Sequence, residues 1–205
     1  MDNLLFFRQL DTMKDEDYIK SFISYLISPV ITGIKPSSII NIFNNTRILL
    51  PLWHDISLQF MSDLKLDYMP IKQYNDSETI LIYDKCSITN ILKCQEIRSL
   101  LKTYGYTDLD NTDVVLNYLY TRLKSNNFPH EVGVFLGIPL HDVEGFIKRS
   151  DPCLLSGYWK VYSEANYAKE IFELYDKSKD LVANCILNGN DIRSLTKNFT
   201  PLFLN

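Results

Sequence analysis

The sequence predicts an α+β fold that is mainly helical and carries a small antiparallel sheet. Apolar residues recur at the i, i+3, i+4 spacing of a helical face in at least six segments. Two segments that alternate in the manner of strands, Leu66–Tyr68 and Thr79–Tyr83, flank a polar turn. A third segment of this kind, Tyr158–Tyr162, lies nearer the carboxyl end. Three strand-like segments among many helical ones are typical of the α+β class.

The composition is that of a globular protein with a sizeable core. The chain has 205 residues, of which 46% are hydrophobic and 13% aromatic. A net charge of −4 gives no sign of a nucleic-acid or anionic-membrane partner. The first residues lack the basic leader of a signal peptide, and no apolar run approaches the roughly 20 residues of a membrane helix. We therefore predict a single cytoplasmic domain over residues 1–205 that binds neither nucleic acid nor a membrane.

The cysteines and histidines show no spacing typical of a metal site. Four cysteines are scattered without a C-x-x-C pair, which in a cytoplasmic protein favours reduced and mostly buried thiols. No pair formed with a histidine has zinc-like spacing, so no metal ligand is predicted. These residues are Cys86, Cys94, Cys153, Cys185, His54, His130 and His141.

Outside the central stretch of the chain, helical periodicity, capping residues and prolines predict where helices begin and end. They run from a cap at Thr12–Glu16 to about Ile27, from Pro51 to Leu64, from Ser87 to Tyr104, from Thr112 to Lys124, and from Ser163 or Glu164 to Leu187.

A further helix is predicted to open at Pro36, after a sharp turn at Gly33. Lys35, Ser37 and Ser38 would then cluster at its start, where free N–H groups and the helix dipole can hold an anion. These three residues are a candidate anion site. The alternative is ordinary helix capping by the serines.

A β-hairpin is predicted over about Lys65–Asp84. Pro70 confines its first strand to a sheet edge, because proline cannot donate a ladder hydrogen bond. The segment G-Y-W-K-V-Y, Gly157–Tyr162, is predicted to join the same sheet, since a lone strand leaves its backbone groups unpaired.

Glycines and prolines that begin or end helices are most concentrated in Phe128–Arg149, F-P-H-E-V-G-V-F-L-G-I-P-L-H-D-V-E-G-F-I-K-R. Pro129 fits the first turn of a helix, Gly137 ends that helix, and Ile138-Pro139 turns the chain into a second one. The pattern predicts a hairpin of two short helices over residues 129–149. Its apolar side chains are predicted to form one core patch with Trp159 close by: Phe135, Leu136, Val143, Phe146 and Ile147.

The hairpin has the spacing of a DNA-binding helix-turn-helix. Gly133 and Gly137 stand where that motif places a small residue and a turn glycine. A DNA-reading helix would present basic or amide side chains, whereas this one begins with His141, Asp142 and Glu144 facing outward. We therefore predict a structural hairpin that does not bind duplex DNA.

Three motifs together resemble one family of proteins. They are G-I-K-P (Gly33–Pro36), the stretch Phe128–Ile147 and G-Y-W-K-V-Y, and their order and spacing match across nearly the whole chain. The resemblance is to a domain-of-unknown-function family of anaerobic, low-GC Gram-positive bacteria without an established activity. It implies an association with flavodoxin or iron-uptake genes. Family members often carry a cysteine directly before the last motif, where this chain has Ser156 and its nearest cysteine is Cys153.

No nucleophile–base pair, Walker loop, dinucleotide fingerprint or zinc motif is recognisable, so no catalytic residue is predicted. The leading hypothesis is a non-enzymatic interaction or regulatory module with a protein partner. The first alternative is a ligand- or metal-binding protein of iron or redox metabolism, in which His130, Glu131, His141 and Cys153 converge. A small-molecule enzyme is the third hypothesis.

The candidate polar site consists of His130, Glu131, His141, Tyr158 and Trp159. An enzyme would use Lys35, His130 or Glu131 in a pocket lined by the two aromatic residues. The ordinary alternative is that His130 and Glu131 cap a first helical turn and that His141 is merely exposed. The sequence indicates neither a cofactor nor an oligomeric state.

Overall fold

The structure, a computed structural model, describes residues 3–125, 128–149 and 152–195. Helices make up most of this part of the chain, and its strands form two small sheets. The predicted α+β class is confirmed. In chain order the elements are α1 (Asn3–Thr12), α2 (Asp15–Leu26), α3 (Ser28–Ile31), β1 (Ser37–Phe43), α4 (Leu50–Asp63), β2 (Asp67–Gln73), β3 (Ser77–Tyr83), α5 (Lys85–Ile91), α6 (Gln95–Thr103), α7 (Thr112–Leu123), α8 (Val132–Phe135), α9 (Leu140–Lys148), β4 (Leu155–Ser156), β5 (Lys160–Val161), α10 (Ala165–Leu187) and a 3₁₀ helix (Ile192–Leu195).

The larger sheet has the strand order β1-β3-β2, and both pairings are antiparallel. Strands β2 and β3 form the predicted hairpin, which is confirmed. As Pro70 requires, β2 lies at an edge of the sheet, and its register with β3 shifts between Pro70 and Lys72.

Strand β1 lies where a helix opening at Pro36 is predicted, so that prediction is wrong. Its sequence S-S-I-I-N-I-F is rich in isoleucine, whose β-branched side chain suits a pleated strand better than a helix. Ile40 and Ile42 are buried on one face, and all of residues 37–43 pair with β3. The long-range pairing with β3 therefore overrides the helix-start signal of the proline.

The larger sheet lies between two helical layers. Ile80 and Ile82 of β3 face a core cluster built with α2 and α4, whereas Leu81 faces a second cluster built with α5 to α9. This alternation follows the period of two of a β-strand. All three side chains are fully buried, which explains why T-I-L-I-Y contains a continuous apolar run.

Most predicted helices are confirmed, although the boundaries differ. The predicted helix from Ser87 to Tyr104 is two helices, α5 and α6, separated by the turn at residues 92–94. The amino-terminal helix α1 was not predicted, and Thr12 belongs to it instead of capping α2. Among the described residues, no helix has both the length and the apolar character needed to cross a bilayer.

Strand β5 pairs with β4 in a separate two-stranded sheet, with Leu155 opposite Val161 and Ser156 opposite Lys160. The prediction that this segment joins the larger sheet is therefore wrong. Its backbone is satisfied locally, because the chain reverses at residues 157–159 and returns alongside itself. The prediction of a single domain over residues 1–205 stays a prediction.

Candidate functional site at the central helical hairpin

The central hairpin consists of α8, the turn Gly137–Pro139 and α9, as predicted. Gly137 has φ 75°, a left-handed conformation that glycine adopts at little cost. A Cβ at this position would lie 2.6 Å from Cδ of Pro36. A Cβ at Gly133 would lie 2.7 Å from Cγ2 of Val143. The two glycines therefore let the hairpin close on itself and on the G-I-K-P segment.

Asp142 fastens α9 to the segment that carries G-Y-W-K-V-Y. Its Oδ2 accepts a hydrogen bond from Trp159 Nε1 at 2.7 Å. Its Oδ1 accepts from the backbone N–H groups of Tyr162, at 2.6 Å, and Ser163, at 3.2 Å. Asp142 is 1% exposed, and these three donors compensate for burying its carboxylate. The prediction that Asp142 faces outward is wrong, because its donors lie 17 to 21 residues further along the chain.

The likeness to a helix-turn-helix is limited to the turn. The first helix, α8, has only four residues. On α9, Asp142 of the first turn is buried, and Lys148 of the last turn pairs with Glu144 at 2.9 Å. The absence of duplex-DNA binding stays a prediction.

A cleft of about 500 Å³ opens between the hairpin turn and α10. This volume falls within the usual range of small-molecule sites. The cleft brings together G-I-K-P, the helices α5 and α6, the hairpin and α10, which are far apart in sequence. Its apolar walls are formed chiefly by Ile34, Ile91, Ile97, Ile138, Leu140 and Ile171.

Polar side chains lie at five positions around the cleft: Cys94, His141, Glu164, Tyr167 and Tyr175. Nε2 of His141 lies 3.9 Å from Oε2 of Glu164. Glu164 has φ 49° and ψ 47°, a left-handed conformation that costs energy in any residue with a side chain. Burial raises the pKa of Tyr175, and burial with the charge of Glu164 raises that of Tyr167, so both phenols are neutral near pH 7.

A second hollow of about 330 Å³ lies on the other side of the hairpin, and Ile138 lines both spaces. Phe146 lines it and is 41% exposed, with its ring 5.1 Å from that of His130 and edge-on to it. The prediction that Phe146 belongs to the core is therefore wrong, whereas Phe135 and Val143 are buried as predicted. Helical spacing from Val143 predicts that Phe146 shares its buried face, but Phe146 borders the open hollow and stays partly exposed.

The residues of the predicted polar site do not meet at one place. His130 and Trp159 line the second hollow, whereas His141 lines the cleft on the other side of the hairpin. Cys153 lines neither space but a depression beside Arg149, which shares Phe146 and Lys160 with the second hollow. Among the described residues, no three histidine, cysteine, aspartate or glutamate side chains are arranged to hold a metal ion.

The cysteines are all free thiols, but the prediction that they are mostly buried is wrong. Cys86 and Cys153 are exposed, Cys94 is half-buried and Cys185 is buried. Cys86 lies in the first turn of α5 and Cys153 in a loop, where sequence periodicity gives little indication of burial.

Glu131 occupies the N-cap position of α8, but its side chain is completely buried and makes no capping hydrogen bond. Its Oε1 accepts a hydrogen bond from Nε of Arg122 at 2.8 Å. Burial, followed by the charge of Glu131, raises the pKa of the nearby Tyr106 well above its ordinary value. Glu131 therefore forms an ion pair between α7 and the start of α8 in which the carboxylate is buried and the guanidinium is partly exposed.

The candidate anion site is built differently from the prediction. Ser37 and Ser38 are buried residues of β1, and the Ser37 hydroxyl donates to the carbonyl oxygen of Phe135 at 2.6 Å. The helix N-terminus on which this prediction rested is absent from these residues. Lys35 instead places its ammonium group 5.8 Å from the ring centroid of Tyr175.

Of the five polar cleft residues, four were not predicted as functional: Cys94, Glu164, Tyr167 and Tyr175, the last of which was placed only on the apolar face of the long helix. Glu164 was recognised only as a residue near the start of α10, and no local signal marks Cys94 or Tyr167. Sequence periodicity identifies the buried face of each helix, but it does not indicate which helix ends meet around a shared space.

The fold and this site define an α+β protein in which a helical hairpin and a long helix enclose an apolar cleft with a polar rim. The chain belongs to the family described as Protein of unknown function (DUF3793), whose model matches residues 23–196. The predicted membership in a domain-of-unknown-function family is confirmed, while the bacterial lineage stays a prediction. Neither a curated protein nor a solved structure matches the chain.

Proposed function

We propose that this protein binds a small, largely apolar molecule in the cleft between the hairpin turn and α10. The observation that carries the proposal is the cleft itself, whose volume of about 500 Å³ and isoleucine-rich walls suit such a ligand. This is the ligand-binding alternative of the sequence analysis, and it involves no metal. We include a cytoplasmic location in the proposal, because four free thiols fit a reducing compartment.

The rim of the cleft suggests what the polar end of the ligand looks like. The Glu164 carboxylate can accept a hydrogen bond, and the imidazole of His141 beside it can accept or donate one. A ligand with one hydroxyl or amino group at the rim and an apolar body in the cleft would match this arrangement. Glu164 would repel a ligand whose only polar group is an anion.

A neutral fluorescent probe of this shape tests the proposal. N-phenyl-1-naphthylamine has an apolar body and a single N–H group, and its emission rises in apolar surroundings. We expect saturable binding to the wild-type protein. Ile97→Trp should weaken it at least about tenfold by filling the cleft, which corresponds to about 1.4 kcal/mol of binding free energy.

Ile56→Trp is the matched control. Ile56 is also a half-buried isoleucine on a helix, but it packs on the first core cluster and does not line the cleft. We expect this variant to bind the probe as the wild type does. Equal binding by Ile97→Trp and wild type, with both proteins folded, would show that the cleft is not the binding site.

A protein-interaction module, the leading hypothesis from the sequence, is the second candidate. The observation that favours it is the second hollow, where Phe128 is 52% and Phe146 is 41% exposed. Adjacent exposed aromatic side chains are typical anchors of a protein interface. Binding to a partner should then be lost in Phe146→Asp and kept in Phe43→Asp, which alters an equally accessible phenylalanine on β1.

The measurement for this second candidate is quantitative co-purification from the native host. A partner that Phe43→Asp retains and Phe146→Asp loses would support the interaction module. Partners that both variants retain equally would reject the second hollow as their interface.

A further inference from the structure

The second hollow and the depression that holds Cys153 are neighbouring parts of one surface. The hollow has a volume of about 330 Å³ and the depression one of about 380 Å³, and Phe146 and Lys160 line both. Nζ of Lys160 lies 6.0 Å from the centroid of the Phe146 ring. The ammonium group of Lys160 is therefore held beside the aromatic ring that the two spaces share.

The two spaces differ in chemical character. The depression holds two cationic side chains, those of Arg149 and Lys160, and no carboxylate is among the described residues that line it. The hollow is mainly apolar. Its walls are formed chiefly by Phe128, Val132, Leu136, Ile138, Val143 and Phe146, with Trp159 beside them.

The positive charge of this surface is not neutralised within the protein. None of the ion pairs formed among the described residues includes Lys160 or Arg149. Asp142 is the one carboxylate among the described residues that line the hollow, and its three hydrogen-bond donors compensate for its charge. The surface is therefore locally positive, although the whole chain carries a net charge of −4.

We propose that this surface binds a single-chain amphiphilic carboxylate, with its apolar chain in the hollow and its anionic group between Lys160 and Arg149. The chain covers the exposed rings of Phe128 and Phe146, so apolar surface of both partners leaves water. The carboxylate accepts charge-assisted hydrogen bonds from the two cations. The volume of the hollow is near the lower end of small-molecule sites, which favours a chain of medium length.

This site is independent of the ligand proposed for the cleft. Glu164 on the rim of the cleft repels a carboxylate, whereas Lys160 and Arg149 attract one, so the two spaces select ligands of different charge. The inference therefore stands or falls separately from the proposed function. A protein partner in the second hollow, the second candidate function, would compete with the amphiphile for the same surface.

Quenching of Trp159 by ω-bromodecanoate tests the proposal in the full-length Trp53→Phe protein, which has Trp159 as its single tryptophan. Bromine quenches indole emission only at short range, and Trp159 lines the hollow, so quenching reports that the chain occupies it. We expect saturable quenching at neutral pH. The neutral analogue ω-bromodecanol has the same chain and bromine but no charge, and it should bind at least about fivefold more weakly because it forms no ion pair.

Single substitutions test the two cations. Lys160→Met and Arg149→Met should each weaken binding of ω-bromodecanoate at least about threefold and leave that of ω-bromodecanol unchanged. Lys169→Met is the control, because it removes an exposed lysine of α10 that lines neither space, and it should bind the acid as the parent protein does.

Isothermal titration of ω-bromodecanoate into the wild-type protein and Lys160→Met gives the same comparison without the Trp53→Phe substitution. Absence of saturable binding of the acid, or equal effects of Lys160→Met on the acid and the alcohol, would overturn the proposal. Co-sedimentation of the wild-type protein with phosphatidylglycerol vesicles, lost in Lys160→Met, would also overturn it, since the surface would then bind a lipid bilayer and not a single amphiphile.

Discussion

Nε1 of Trp159 donates a 2.7 Å hydrogen bond to Oδ2 of Asp142, and this bond joins the last motif of the chain to the second helix of the central hairpin. Both side chains are buried, so water does not compete for either group. Close packing reinforces the connection, because a Cβ at Gly145 would lie 2.7 Å from Cβ of Tyr162. The second helix of the hairpin and the segment Gly157–Tyr162, although separate in sequence, therefore pack together as one unit.

Asp142→Ala should destabilise the protein strongly. The substitution removes the acceptor of three hydrogen bonds and leaves the buried indole N–H of Trp159 without a partner. We expect a loss of about 3 kcal/mol in the free energy of unfolding, measured by urea denaturation. Asp108→Ala, at an exposed loop position, is the control and should change the stability by less than about 0.5 kcal/mol. Equal effects of the two substitutions would contradict a stabilising role for Asp142.

The two phenylalanines of the hairpin should differ in their contribution to stability. Phe135 is 0% exposed, so Phe135→Ala leaves a cavity and should cost about 3–5 kcal/mol. Phe146 is 41% exposed, so Phe146→Ala should cost less than about 1.5 kcal/mol. Thermal and urea unfolding of both variants provides the comparison. A larger loss from Phe146→Ala than from Phe135→Ala would be incompatible with the observed burial.

Two glycines with positive φ offer a matched comparison of backbone strain and crowding. Gly137 has φ 75° and Gly189 has φ 67°, so alanine is strained at either position and should cost about 1–2 kcal/mol. Only Gly137 is also crowded, because its Cβ would meet Pro36 at 2.6 Å, whereas nothing lies within 4 Å at Gly189. We therefore expect Gly137→Ala to lower the unfolding free energy by clearly more than Gly189→Ala. Equal losses would show that the turn can relax away from Pro36.

The amine of Lys35 should make stability depend on pH between neutral and alkaline conditions. Its pKa is lowered to about 8 in the folded protein and is about 10.4 in an unfolded chain. Between these values the unfolded state binds more protons, so the contribution of Lys35 to stability rises as the pH increases. Below pH 8 this contribution is fully unfavourable.

Lys35→Met removes this dependence. We expect the variant to be more stable than the wild type at pH 7, and the difference to shrink by pH 9.5. Urea denaturation of both proteins at the two pH values measures it, and subtracting the two curves removes the contributions of the other titrating groups. A difference that is constant with pH would mean that the pKa of Lys35 is not lowered.

Local signals in the sequence identify most of the elements. The hairpin turn at Gly137 and Ile138-Pro139, the edge position of Pro70 and the long helix α10 all follow from residues close to one another in the chain. Each depends on backbone preferences of glycine and proline or on helical periodicity, which act over a single turn or a single face.

Features that depend on distant partners could not be predicted in the same way. The β1 strand at residues 37–43 forms because β3 offers a partner, which outweighs the helix-start signal of Pro36. Asp142 is buried because Trp159 supplies a donor, and Glu131 is buried because Arg122 does. In each case the decisive interaction joins two elements whose packing the sequence does not specify.

The sequence identified only part of the candidate site, because the cleft is formed by elements that are distant in the chain. His141 was singled out and does line the cleft, but it was grouped with His130, which lies on the other side of the hairpin. His130 precedes the first helix of the hairpin and His141 lies on the second. The turn Gly137–Pro139 sets the direction of the second helix, and the sequence does not indicate on which side of the hairpin each histidine then lies. The isoleucines of the cleft carry no distinguishing signal, since they resemble those of any buried helix face.

The chain has two tryptophans, and they lie in different parts of the fold. Trp53 is in the first core cluster, edge-on to Tyr68 at 5.3 Å, whereas Trp159 is bonded to the hairpin through Asp142. Trp53→Phe would leave a single indole emitter beside the second hollow, and Trp159→Phe a single emitter against the sheet. Stopped-flow fluorescence of the two proteins would then resolve in time whether the hairpin and the sheet layer unfold together or one after the other.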